Sequence, residues 1–329
     1  MPRTITVFSA TGTFGVPTIR HLLNSEQNVN LHIRAFCRDQ TGNEFRKLQD
    51  MTDNTSGMQF RGTSRLTCIK GDLNKPEETI NALRDADCCV LILNPFVLAD
   101  NIEEGSRLET SIGRRIISEC IECGVRDFVY LSVCDANERE IPFFWSKKLV
   151  EDELRRNEAS FRSIQIIRPV YLIDNLELSH NIKERLINDH VLALPVSPQT
   201  KLPLICADDV GLIVCDCALD PHKLDLHEKI LEPCSEILSV EEMASVCGVS
   251  YQQAESHHFP QHLLKMYQLF EQNKVHPSPD FTHKQWPNVL KFEQWSRSSF
   301  VGAEVSSRRE ALKETEKYVS KAEEAGGIV

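Results

Sequence analysis

The sequence has no long apolar run. Its longest, residues 88–99 (CCVLILNPFVLA), falls well short of the ~20 residues that a membrane-spanning helix needs. The amino terminus, MPRTITVFSA, lacks the extended apolar stretch and small-residue cleavage site of a secretory signal. A cytoplasmic setting is therefore expected, with the nucleus as the alternative, and no membrane partner. Positive charge is in short supply: 37 Lys and Arg against 48 Asp and Glu leave a net charge of −11. A general nucleic-acid binder has the opposite balance, so no nucleic-acid partner is expected. Metal-ligand spacing is missing too. Cys120 and Cys123 form a CxxC, but no second CxxC or nearby histidine pair completes a zinc site. The 12 cysteines fall mostly in apolar segments and read as reduced, packed thiols.

What is present is a chain of 329 residues that is 41% hydrophobic, enough for one large domain or two smaller ones. The first half alternates strand and helix patterns, the signature of a parallel α/β sheet. Strands are expected at residues 4–9, 30–37, 66–70, 88–93, 127–132 and 163–167. Helices are expected between them at 13–24, 44–51, 76–85, 108–123 and 146–157. Residues 52–64 are polar and rich in turn formers, which predicts a loop. After about residue 175 the rhythm changes to helical stretches punctuated by prolines, with short strands at 202–205 and 229–231. A helix over 210–218 is expected with Asp208 and Asp209 as its caps, and Trp286 and Trp295 as anchors of a second core. This organisation predicts a dinucleotide-type domain over 1–175, which strands from the second half would complete. A smaller domain follows over 176–302, with a charged helical tail over 303–329.

The sequence SATGTFG, Ser9 to Gly15, lies between the first strand and the first helix. That context turns a weak glycine motif into a dinucleotide expectation. A tight turn there aims backbone N–H groups and the positive end of a helix at a pyrophosphate. Gly12 permits close approach of the phosphate, and Gly15 permits close packing of helix on strand. Ser9 stands where the pattern usually has a glycine, although serine does not adopt positive φ cheaply. Thr11, Thr13 and Phe14 complete the turn. The second strand ends RAFCRD. Arg38 at its tip offers a planar cation to a 2′-phosphate, which favours NADP(H), while neighbouring Asp39 keeps NAD(H) as the alternative.

The chain resembles the NmrA-like family of atypical short-chain dehydrogenase/reductases. The resemblance is carried by SATGTFG, RAFCRD, KGDLNKPE from Lys70, YLSV from Tyr130, FFWSKKLVEDELR from Phe143 and IRPVYLIDNL from Ile167. In the second half, LPLICADDVG from Leu202, ILSVEEMASV from Ile237 and LKFEQW from Leu290 extend it. The resemblance implies an α/β fold, a doubly wound parallel Rossmann sheet with a smaller, mostly helical C-terminal domain and a cleft between them. It further implies Asp72 and Leu73 beside the adenine, and Asn94 and Pro95 on the ribose or nicotinamide side. Val170, Tyr171 and Leu172 would line the nicotinamide end.

Short-chain dehydrogenases of the common type use Tyr-x-x-x-Lys, in which the lysine helps the phenol act as acid or base. The corresponding stretch here runs Phe143 to Lys147, and phenylalanine carries no exchangeable proton. Lys147 is the one candidate catalytic residue. Without catalysis it is expected to contact the nicotinamide ribose. Ser132, at the end of the fifth strand, is a candidate cofactor or substrate contact, and Tyr171 a candidate replacement phenol. Two functions compete. One is an NADP(H)-binding redox sensor or regulator with weak or no turnover, whose partner is a protein. The other is an NADP-dependent oxidoreductase that acts on a small apolar carbonyl or alkene. The first is expected.

Overall fold

The computed structural model describes residues 2–25, 30–52, 65–220, 230–299, 303–305 and 307. Of the loop expected at 52–64, Thr52 instead ends a helix, and residues 53–64 and nearly all of the charged tail lie outside the described residues. In chain order the strands are β1 (Arg3–Phe8), β2 (Leu31–Cys37), β3 (Arg65–Lys70), β4 (Cys88–Ile92), β5 (Asp127–Leu131), β6 (Ser163–Ile167), β7 (Tyr171–Leu172), β8 (Val191–Leu194), β9 (Lys201–Ile205), β10 (Ile230–Leu231), β11 (Glu236–Ser239) and β12 (Ser250–Gln253). The helices are α1 (Gly15–Asn24), α2 (Asn43–Thr52), α3 (Pro76–Leu83), α4 (Ile102–Glu122), α5 (Pro142–Arg156), α6 (Asn175–Leu178), α7 (His180–Glu184), α8 (Ala207–Leu219), α9 (Val240–Cys247), α10 (Gln261–Glu271), α11 (Pro279–Gln285) and α12 (Phe292–Ser298).

Two compact units interleave along the chain. The first comprises Met1–Val170, Ala207–Pro233 and Asp280–Trp286. Its seven strands form one sheet in the order β10-β6-β5-β4-β1-β2-β3. Every pairing in it is parallel. The order reverses between β1 and β4, which is the topological switch point of a doubly wound Rossmann sheet. β4, β5 and β6 are buried along their whole length, as their near-continuous apolar runs require. Phe8, Phe36, Leu91, Phe128 and Tyr130 join Ile112, Ile116, Val150 and Leu154 in one core.

Two helices of this unit start earlier than their apolar pattern predicts. α4 begins at Ile102, six residues before the expected start at 108. The Asn101 side chain accepts from Glu104 N at 2.8 Å, and Glu103 and Glu104 occupy the first turn. Cap and acids stabilise a helix start that hydrophobic periodicity does not show. α5 begins at Pro142, where a missing N–H costs nothing. Asp208 and Asp209 are not caps, as expected, but first-turn residues of α8, because the helix starts at Ala207. Asp208 there pairs with Arg20 and lies 3.2 Å from His21. Trp286 also departs from expectation. It belongs to the first unit, where its indole N–H donates to Asp216 at 2.9 Å.

The second unit comprises Tyr171–Cys206, Cys234–Pro279 and Pro287–Val329. It contains a three-stranded sheet ordered β11-β9-β7 and a paired β12-β8, with α9, α10 and α12. Its core gathers Leu192, Leu204, Met243, Phe270, Phe292 and Trp295. No helix among the described residues is long and apolar enough to cross a membrane.

Candidate functional site

The turn after β1 is built from backbone. Ala10 N donates to Phe36 O at 3.1 Å, which ties the turn to β2, and Gly12 N donates to Ser9 O at 2.9 Å. Ser9 adopts φ +55°, the left-handed conformation that glycine favours, so serine fills the glycine place at a backbone cost. A Cβ on Gly15 would sit 2.4 Å from Ser9 O and 2.6 Å from Ala10 O. Only glycine lets α1 begin that close to the strand. α1 has no side-chain cap and no acid in its first turn. That leaves the positive end of α1 without a side-chain partner.

The tip of β2 lies on the same carboxyl edge of the sheet. Arg38 is exposed there. Lys70, at the end of β3, pairs in register with Cys37. Asp39 Oδ1 accepts from Thr41 N at 2.8 Å and from Thr41 Oγ1 at 2.6 Å. These bonds hold the Asp39 carboxyl below the usual carboxylate range, with help from the charges of Lys70 and Arg38. The acid at this tip is thus engaged locally, and two cations stand beside it.

Asn94 and Pro95 follow β4 on that edge. The Asn94 side chain accepts from Phe96 N at 3.0 Å and caps a short 3-10 turn over Pro95–Val97. Asp72 and Leu73 follow β3, and Asp72 Oδ1 accepts from Asn74 N at 2.9 Å. Leu73 offers its carbonyl to Arg115. Val170 is the last residue of the first unit in this part of the chain, while Tyr171 and Leu172 open the second. The Tyr171 hydroxyl lies 3.2 Å from that of Tyr267, and burial pushes its pKa up to about 12.

Beneath this edge, between the sheet and helices α4 and α5, lies a buried polar cluster. Lys147 is only 8% exposed. Its Nζ donates to Glu109 Oε1 at 2.6 Å, to Leu93 O at 2.9 Å and to Leu131 O at 3.5 Å. Those carbonyls end β4 and β5, so one side chain ties the two strand ends together. Glu109, fully buried on α4, also accepts from Ser146 Oγ. Next to it, Ser132 Oγ donates to Glu151 Oε1, and Glu151 also holds Arg168 through bonds of 2.9 and 2.7 Å. Burial opposes the Arg168 charge, but its bonds to Glu151 and Glu232 outweigh that and raise its pKa. The Tyr130 hydroxyl is buried here without a hydrogen-bond partner. Burial, with the charges of Glu109 and Glu151, pushes its pKa well up, so it is a neutral phenol. Phe143 packs against Phe96 and Phe144, with centroids 5.1 and 4.9 Å away.

The structure thus brings the turn residues Ser9, Thr11, Gly12, Thr13, Phe14 and Gly15 to one sheet edge with Arg38, Asp72, Leu73, Asn94 and Pro95. Lys147 and Ser132 it places below that edge, each bonded to a buried carboxylate. Glu109, Glu151 and Arg168 were not singled out by sequence reasoning. The signal was present: Glu109 falls in register with Ile102, Ile112 and Ile116 on the apolar stripe of its helix. A carboxylate in such a stripe demands a buried partner. Among the described residues no group of three or more His, Cys, Asp or Glu side chains is arranged to hold a metal ion. His257 and His258 lie exposed, 4.0 Å apart.

Comparison with known proteins agrees with this architecture. The structure of NmrA, described as a negative transcriptional regulator, superposes with a TM-score of 0.70 at 20% identity, covering 93% of this chain and 98% of NmrA. The complex of NmrA with NADP gives 0.68 at 17% identity over the same shares. Triphenylmethane reductase from Citrobacter sp., complexed with NADP(H), gives 0.64 at 13% identity, covering 89% of this chain and 98% of the reductase. At these identities the likeness establishes the fold. No curated protein matches the sequence. The family model described as NmrA-like matches residues 1–294, and the chain belongs to the NmrA-like family.

Proposed function

We propose that this chain binds a nicotinamide dinucleotide, NADP(H) in preference to NAD(H), and acts as a cofactor-responsive regulator with weak or no turnover. The observation that carries the proposal is the state of Lys147. Its three donors face Glu109 and the carbonyls of Leu93 and Leu131, inside the protein. A lysine used this way locks strand ends together and has no proton to offer a substrate.

The fit for the dinucleotide rests on the sheet edge. The turn from Ser9 to Gly15 and the uncapped end of α1 would hold the pyrophosphate. Arg38, with Lys70 beside it, would take the 2′-phosphate, since Asp39 is already bonded to Thr41. Asp72 and Leu73 would border the adenine, and Asn94 and Pro95 the ribose side. Ser132, Val170, Tyr171 and Leu172 are weaker assignments, because the Ser132 and Tyr171 hydroxyls already have partners inside the protein. Bound NADPH would bring a hydride. Phe143 stands where the phenol would be, so that position offers it no accompanying acid. Two neighbours support the binding half of this reading: NmrA and triphenylmethane reductase are each known with NADP bound. The oxidoreductase alternative requires Lys147 to leave Glu109.

Calorimetric titration with NADPH and NADH tests the binding half. NADPH is expected to bind at least ~10-fold more tightly, and Arg38→Ala to remove that preference while leaving NADH binding unchanged. Equal affinities would overturn the Arg38 assignment, and binding of neither would overturn the cofactor. Incubation of the NADPH complex with a panel of carbonyls and alkenes tests the other half. A flat reduced-nicotinamide absorbance is expected. Turnover that Lys147→Ala abolishes would establish the oxidoreductase instead.

A further inference from the structure

We propose that Arg115 is a positioning residue for the base of the dinucleotide: it holds the turn after β3 so that one backbone N–H, that of Leu73, meets the adenine. The inference rests on the cofactor reading above, and all its residues belong to the first unit. Four of the five backbone donors from Gly71 to Lys75 are used inside the protein. Gly71 N donates to Cys37 O at 3.0 Å, Asp72 N to Glu78 Oε2 at 2.7 Å, Asn74 N to Asp72 Oδ1 at 2.9 Å and Lys75 N to Asp72 O at 3.0 Å. Leu73 N is the fifth, and among the described residues it has no partner. Leu73 is half-buried. One unfilled donor in an otherwise satisfied turn calls for an acceptor from a ligand.

The direction of that donor is set by the peptide planes on either side of Leu73. The plane before it is held through Asp72 O, which accepts from Lys75 N. The plane after it is held at both ends: Asn74 N donates to Asp72 Oδ1, and Leu73 O accepts from Arg115 Nη2, which reaches it from α4. Arg115 is itself fixed. Its Nη1 donates to Glu119 Oε1 and, at 2.9 Å, to Thr79 Oγ1. Thr79 Oγ1 donates in turn to Glu119 Oε2 at 2.7 Å. The three side chains close a ring in which each bonds the other two. Thr79 is fully buried and Glu119 nearly so.

A bond network that only fastened α3 to α4 would end at this ring. Here the guanidinium spends a further donor on the carbonyl of a turn at the carboxyl edge of the sheet. Its planar fork makes these contacts at once, whereas the single ammonium of a lysine would have to choose between the ring and the carbonyl. The chemistry of the free donor names the class of base. Adenine N1 is an acceptor and would take the Leu73 N–H. In hypoxanthine N1 carries a hydrogen, so donor would meet donor. A site built around a hydrogen bond rejects an analogue that cannot form it. Leu73 N–H thus reads the base, and Arg115 determines how sharply.

The probes are NADPH, NADH and the reduced hypoxanthine analogue of NADPH, titrated by calorimetry into the full-length protein at one moderate salt concentration. The wild-type protein is expected to bind NADPH about 10-fold or more tightly than the hypoxanthine form. The double variant Arg115→Met, Glu119→Gln removes the guanidinium without leaving a buried carboxylate charge unpaired. Arg115→Lys keeps a cation beside Glu119 and carries the test if the double variant fails to fold. In each, NADPH affinity should fall about 10-fold and the adenine preference should shrink to about 3-fold or less. The preference for NADPH over NADH, which rests on Arg38, should persist. A merely structural tether would give a different result: a lower urea midpoint with the adenine preference as in the wild type. An unchanged adenine preference in a folded variant would overturn the proposal, and so would loss of both preferences together. A wild-type protein that binds NADPH and the hypoxanthine form equally would overturn it and leave the dinucleotide reading standing. Binding of no dinucleotide would overturn both.

Discussion

Two regions of the first unit, both at the carboxyl edge of one sheet, differ in where their polar groups point. At the turn after β1 the backbone is committed but the helix end is open, with neither acid nor side-chain cap in front of it. Below the ends of β4 and β5 the reverse holds. There Lys147, Glu109, Ser132, Glu151 and Arg168 bond chiefly to one another and to strand carbonyls. The first region leaves the end of α1 uncapped by any side chain, where the proposed dinucleotide would bind. The second spends its reactive groups on holding the strands. A single-sequence motif search treats both as parts of one active site, but their hydrogen bonds assign them different work.

The sharpest way to break this comparison is at Glu109. Glu109→Leu leaves the Lys147 charge buried beside carbonyls alone. Loss of one partner from a buried pair costs about 3–5 kcal/mol, so the urea midpoint should drop steeply. The double variant Glu109→Leu, Lys147→Met should recover most of that loss, since matched apolar groups replace a pair whose desolvation nearly cancels its attraction. A loss below about 1 kcal/mol for the single variant would mean that Lys147 is solvated in solution and free for chemistry. NADPH binding that survives in the double variant would separate the two regions outright.

A smaller effect on stability, but a larger one on binding, is expected at the other region. The Cβ of Gly15→Ala would meet Ser9 O and Ala10 O at 2.4 and 2.6 Å. Both are backbone atoms, held by the bonds of Gly12 N to Ser9 and of Ala10 N to Phe36, so the turn itself must shift. The cost in stability should be about 1–3 kcal/mol. NADPH affinity should fall more than ~10-fold, because the N–H groups that would face the pyrophosphate move with the turn. Unchanged affinity in calorimetry would mean that the dinucleotide does not use this turn.

The difference between the regions also explains what the sequence made legible. The strand–turn–helix at Ser9 to Gly15 is local, and seven consecutive residues carry it. All six expected strands of the first half are present, with β6 falling on its predicted residues. The buried cluster is not local. Glu109 and Lys147 are 38 residues apart, and Ser132 meets Glu151 across 19. Their partnership depends on α4 packing beside α5, which no periodicity states. In the second unit, β8, β11 and β12 have four residues each, and the prolines between them read as breaks in helices. There β9 accommodates Pro203 opposite Ile237 of β11. Strands of four residues leave no pattern long enough to detect.

The smallest expected effect lies at Ser9, where the sequence raised a doubt that the backbone answers. Serine occupies the place of the pattern's first glycine and takes the glycine conformation, φ +55°. For an L-residue that conformation costs roughly 1–2 kcal/mol. Ser9→Gly removes the strain but gives the unfolded chain more freedom, an opposing effect of about 0.4–1 kcal/mol. A net gain of about 0.5 kcal/mol is expected, visible as a slightly higher urea midpoint with the slope unchanged. The carbonyl that accepts from Gly12 is retained in the variant, so NADPH affinity should hold or rise slightly. A lower midpoint would show that the serine side chain contributes more than its strain costs. The turn would then differ from a common glycine turn by its chemistry and not only by its strain. The open region would, like the sealed one, use side chains to fix its shape.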